Sequence, residues 1–202
     1  MSKEQKQEEN DMNEKTKKIT YIGLLTAIVV VLQLVASQIR LGPFSITLCL
    51  APIIVGAALY GWKAGAWLGF VFSFLVLLTD AGAFLAVSVP GTIITVILKG
   101  TCCGIVAALV FAALEKVNSF VAVVVAGIAA PLTNTGLFLL GCLVFFMPTI
   151  NEWAAASGFP NAGNYLIFGM VGINFVIELA VNMILAAVIV QIIGIAKKNN
   201  NK

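Results

Sequence analysis

Long apolar runs alternate with short breakers along the chain. Counted between breakers, the runs are residues 19–37, 46–60, 63–79, 91–114, 119–147 and 166–196. A bilayer core of about 30 Å takes about 20 apolar residues wound as a helix. The pattern therefore predicts an all-α membrane protein, six transmembrane helices in one bundle. The first run stops before SQIRLGP, only YGWK separates the second from the third, and the fourth follows Pro90-Gly91. The fifth is interrupted by Pro131. The second run is short and is expected to sit partly sunk among its neighbours.

Inside these runs a few polar residues stand out. GINFVIELAVN, residues 172–182, carries Asn174, Glu178 and Asn182 four apart. A helix turns about 100° per residue, so that spacing places the three on one slowly drifting stripe. Lys99 lies about eight residues into the fourth run, and PLTNTG, residues 131–136, offers Thr133, Asn134 and Thr135 in the fifth. Burying a Lys or Asp at a helix centre costs about 2.5–3.5 kcal/mol on insertion scales, and such residues face a bundle interior, a partner or water. Two readings follow. In one, Lys99 and Glu178 pair, or the polar groups bond between helices without a ligand. In the other, they line a pocket in the outer half of the bundle. There Lys99 suits a carboxylate on a small polar molecule, and the asparagines suit hydroxyls or amides.

Composition sharpens the class. Hydrophobic residues make up 60% of the chain, mean hydropathy is +1.04 and only 10% of residues are charged. A soluble domain carries about 25% charged residues, so the chain is an integral membrane protein. Thirteen of the charges lie in residues 1–18 and 197–202. The Lys-rich ends flank spans, so the net charge of +3 is no nucleic-acid signal. With six crossings, Lys15, Lys17, Lys18, Lys63, Lys116, Lys197 and Lys198 share one side, and basic residues favour the cytosol. Residues 1–18 then read as a disordered cytosolic tail, too polar for a signal peptide, residues 19–196 as the membrane domain and 197–202 as a second cytosolic tail.

Several functions drop out. No histidine occurs, so His-dependent proteolysis, haem ligation and His metal sites are excluded, and no Walker-type motif supports ATP hydrolysis. No Cys/His ligand cluster suggests a metal, no cofactor is implied, and no nucleophile has a matched base, so the chain reads as a non-enzyme. Cys49, Cys102, Cys103 and Cys142 sit in apolar runs, where free cysteines behave as small hydrophobes; redox activity of the adjacent Cys102-Cys103 pair is the alternative. Gly61, Gly65 and Gly69, Gly100 and Gly104, and Gly23 with Ala27 are spaced four apart. Small residues at that spacing let helices approach closely in lipid.

The run ITLCLAPIIVGAALYGWKAGAWLGFVFSFL resembles the second and third spans of substrate-binding (S) components of energy-coupling factor transporters. Its I-T-L, Pro52, Gly56-Ala57, Tyr60-Gly61, Gly65 and Gly69 carry the likeness, and NTGLFLLGCLVFF and GINFVIELAVN resemble the later spans. The similarity covers about residues 19–196. It implies high-affinity capture of a vitamin from outside a bacterial cell membrane. It also implies association with a shared membrane subunit and two ATPases, and toppling of the S component within the bilayer. In that family small residues of an Ala-x-x-x-Ala type on the first span contact the shared subunit. Gly23 and Ala27 are the nearest match, with Gly keeping the first position small. The segment SQIRLGPFS corresponds to a lid over the pocket, which makes Arg40 and Phe44 candidates to touch substrate. Trp153 and Tyr165, in the longest outer connection, 149–165, are expected at headgroup level, with a short interfacial helix there. Overall similarity and Lys99 favour pantothenate, with folate, riboflavin and pyridoxine-like compounds open. The competing class is a small secondary carrier or oligomeric channel using Glu178 as an ion or proton site.

Overall fold

The computed structural model describes residues 3–41, 44–45 and 47–200, with side chains described for residue 12, residues 14–40, residue 45 and residues 47–196. Helix α1 is Lys3–Ala36. Its apolar part is the expected first span, and residues 3–18, expected as a disordered tail, continue the same helix. Acid-then-base spacing of four, as in Glu14 and Lys18, supports helix even where nothing packs.

After α1 the chain forms a two-residue antiparallel ladder, β1 (Arg40–Leu41) and β2 (Phe44–Ser45), pairing Arg40 with Ser45 and Leu41 with Phe44. Helix α2, Leu50–Tyr60, has 11 residues and so spans about 16 Å, half a bilayer core. It is sunk in the bundle as its length suggested, with Ile53, Ile54 and Ala57 buried. Among the described residues, five other helical segments are long and apolar enough to cross a membrane: Glu14–Ala36, Trp62–Thr79, Val89–Leu114, Ser119–Phe145 and Ala162–Ala196.

Gly61, at φ 80°, takes the left-handed turn that separates α2 from α3, Trp62–Thr79. A short helix absent from the predicted pattern, α4 (Gly82–Val87), precedes α5, Val89–Leu114. The Ser88 hydroxyl caps α5 by accepting from the Gly91 N–H, and Pro90 occupies its first turn, where a missing N–H costs nothing. Asn118 caps α6, Ser119–Phe145, through the N–H groups of Phe120 and Val121. Here the structure corrects the sequence reading: α6 is continuous through the buried Pro131. The break falls at Phe146, and α7, Met147–Ala156, starts with Pro148 in its first turn. This is the short helix expected in the outer connection. Trp153, expected at headgroup level, is half-buried in α7. Its ring packs edge-on against Phe84 at 5.4 Å, in a buried cluster with Phe146 and Ile150.

The last segment is compound: α8 (Ala162–Asn164), a π-helical stretch Tyr165–Val171, and α9 (Gly172–Asn200). Helix α5 packs against α3 and α6, and α9 against α2 and α6. The α3–α5 contact is a glycine seam. A Cβ on Gly65 would strike the Gly104 carbonyl, and one on Gly69 the Gly100 carbonyl, so only glycine permits this approach. Cys49, Cys103 and Cys142 are buried, and all four cysteines carry free thiols.

Candidate substrate cavity

The α9 stripe faces inward. Asn174, Glu178 and Asn182 are 7%, 5% and 3% exposed, whereas Ile173, Val176 and Ile184 on the other faces are 60%, 62% and 75% exposed. The polar side thus looks into the bundle and the apolar sides look outward, as lipid as solvent demands.

Asn174 and Glu178 meet Lys99 of α5 and Asn134 of α6 around one cavity of about 70 Å³. The α3 stripe of Phe72, Val76 and Asp80 closes one side, and Met170 and Val171 of the π-helical stretch close another. Gln33 of α1, with Ser45 and Thr47 from the segment between α1 and α2, completes the wall. A buried water occupies about 10–15 Å³, so the space admits several.

Lys99 is not paired with Glu178. Arg40–Asp80 is the one ion pair within 4.0 Å among the described residues. The Lys99 ammonium instead stands 5.6 Å from the Phe138 ring centre and 5.9 Å from that of Phe72, a cation–π cradle. Thr47 and Asn134 are hydrogen-bonding neighbours of Glu178. Still, Glu178 Oε2, Asn134 Oδ1 and Asn174 Oδ1 are buried without hydrogen-bond partners. An unmet buried polar group costs about 1–3 kcal/mol, and more when charged. Among the described residues, the cavity therefore presents the Lys99 ammonium, held by aromatic rings, and several acceptors without donors.

The remaining predicted residues fall elsewhere. The Thr133 hydroxyl bonds back to the Ala129 carbonyl, and its neighbour Thr135 lines the cavity instead. The reason is angular: Asn134 and Phe138 define the inward stripe of α6, and at about 100° per residue Thr135 lies about 80° from its centre and Thr133 about 120° on the other side. Asn182 is buried one turn beyond the cavity wall, its Nδ2 unpartnered. Arg40 is half-exposed and does not itself line the cavity; it reaches the Thr79 carbonyl at 3.4 Å and, at 3.8 Å, Asp80 on the cavity wall. The Phe44 side chain lies outside those described. Gly23 and Ala27 are exposed on α1, with nothing within 4 Å of a Cβ built on Gly23.

Asp80, Gln33, Ser45 and Thr47 are cavity residues that the pattern did not single out. Gln33 was visible as a lone amide in the run VVVLQLVA. Asp80 looked like an ordinary loop acid, and only the folding back of the α1–α2 segment buries it.

The sequence model of the ECF transporter substrate-specific component matches residues 17–193. The chain belongs to that family. This S component is also 26% identical, over 204 residues, to the pantothenic acid transporter PanT of Lactococcus lactis subsp. cremoris (strain MG1363). The alignment covers 92% of this chain and 98% of PanT. No solved structure gives a significant match. As a member of this family the S component is a multi-pass membrane protein that binds a vitamin-type substrate for transport and is not an enzyme.

Proposed function

We propose that this S component captures pantothenate from outside the cell. The observation that carries the reading is the convergence of Lys99, Asn134, Asn174 and Glu178, from three separate helices, on one cavity with unmet acceptors. Pantothenate carries a carboxylate, an amide N–H and two hydroxyls. Lys99 supplies the only cation on the cavity wall among the described residues and attracts the carboxylate. The orphan oxygens take the hydroxyl and amide hydrogens, which offsets the cost of burying them unpaired. Similarity to PanT supports the choice of vitamin.

The chain crosses the cell membrane six times, α2 supplying the helix of the second crossing, and both ends are cytosolic. Support comes from the lysine distribution and from the burial of α2. Transport uses the partners the family implies, a shared membrane subunit and two ATPase subunits. The exposed Gly23 and Ala27 give α1 a smooth face for the former.

A vitamin panel tests the substrate. Pantothenate is expected to raise the unfolding temperature of the purified protein and to titrate at one site per chain in calorimetry. A folded sample stabilised by folate, riboflavin or pyridoxine but not by pantothenate would reassign it.

A further inference from the structure

Asp80 ends α3, where its N–H bonds to the Val76 carbonyl. Its side chain is 6% exposed. The two carboxylate oxygens are used differently. Oδ2 accepts from the Ser45 hydroxyl at 2.6 Å and the Gln33 amide at 3.1 Å. Thr79 Oγ1 also stands 3.3 Å from Oδ2, but it has one proton and lies nearer the Leu75 carbonyl, at 2.9 Å. Oδ2 therefore pins the β1–β2 segment and α1 to the end of α3.

Oδ1 is buried with no hydrogen-bond partner. The nearest cation is Arg40 at 3.8 Å, beyond hydrogen-bond reach, and its side chain is 56% exposed, where water screens it. Asp80 shares the cavity wall with Lys99. Together with Met170 it also lines an outer recess of about 300 Å³ edged by Phe84, Trp153 and Tyr165. Asp80 thus stands where the inner cavity meets the outside.

We infer that Asp80 is a substrate-binding residue whose Oδ1 accepts a hydroxyl hydrogen from a ligand whose carboxylate lies at Lys99. The class of ligand is narrowed accordingly. It is an acid with a hydroxyl at a distance from its carboxylate, and acids without one are disfavoured. The inference rests on the cavity being the pantothenate site.

Calorimetry on the purified full chain tests it, with pantothenate and an analogue in which both hydroxyls are replaced by hydrogen. The wild-type protein is expected to prefer pantothenate. A hydrogen bond to a charged acceptor is worth roughly 10- to 100-fold in affinity, and Asp80→Ala should narrow the preference by that factor while the analogue's affinity changes little. Asp80→Asn keeps a neutral acceptor and should fall between. The ratio is internal to each preparation, so partial misfolding does not alter it. Ser45→Ala, which spares Oδ1, should weaken both ligands alike. An unchanged ratio in Asp80→Ala overturns the inference alone and confines Asp80 to holding the chain segments together. A folded wild-type protein that ignores pantothenate overturns the substrate reading and this inference with it.

Discussion

One face of α3 passes through two unlike environments. Gly65 and Gly69 meet Gly104 and Gly100 of α5 backbone to backbone. A turn further on, Phe72, Val76 and Asp80 continue the stripe, and there a cavity opens beside Lys99. The two helices are the same; the side chains differ. Absence of side chains closes the seam, and bulk and charge hold the cavity apart. In lipid, where apolar side chains gain nothing by leaving solvent, this contrast in size does the work that hydrophobicity does in water. A third array of small residues, Gly23 and Ala27, has the same spacing but faces outward. Spacing alone therefore does not distinguish an internal seam from a free face.

The largest effect is expected at the seam. Gly104→Val places a branched side chain against the Gly65 backbone, and overpacking of this kind costs about 1–3 kcal/mol or more. Little folded protein should survive size-exclusion chromatography after heating, and a normal melting temperature would break the comparison. Next comes the outward array. Gly23→Leu combined with Ala27→Leu should leave stability within about 0.5 kcal/mol, as surface changes do, yet abolish co-purification with the membrane and ATPase subunits. Retained assembly would strip α1 of its proposed role.

In the cavity, Lys99→Ala should leave the fold standing and weaken pantothenate by roughly 10- to 100-fold, the worth of a charge-assisted contact. The measurement is calorimetry against both pantothenate and its neutral alcohol, and equal losses would make Lys99 structural. The smallest change lies at the flank. Trp67→Phe removes the bond from the indole N–H to the Thr26 hydroxyl at 3.1 Å. That should cost about 0.5–1.5 kcal/mol in thermal unfolding with substrate affinity untouched.

Much of this was legible in the chain because lipid enforces a simple grammar. Every buried polar residue inside an apolar run has to face something polar, so Lys99, Asn134, Asn174 and Glu178 could be grouped before any coordinates. Helix positions followed from run length for the same reason. What escaped was whatever depends on the chain folding back. Asp80 sits at a helix end and reads as solvated until Ser45 and Gln33 close over it. Thr133 and Thr135 differ by two positions, and only the rotation of α6 selects the second. Pro131 looked like a breaker, but packing holds α6 helical through it. Gly23 and Gly65 share a signature, and their opposite fates are a property of neighbours.

The wide turns of Tyr165–Val171 add a last consequence. A π-helical stretch accommodates one more residue than the α-helix it replaces, so everything downstream is rotated by about 100° relative to a regular continuation. Rewinding the same seven residues as a regular α-helix would therefore spin Asn174 and Glu178 out toward the acyl chains. The angular setting of the binding groups on α9 is thus kept upstream of them, by backbone winding that has no side-chain chemistry of its own.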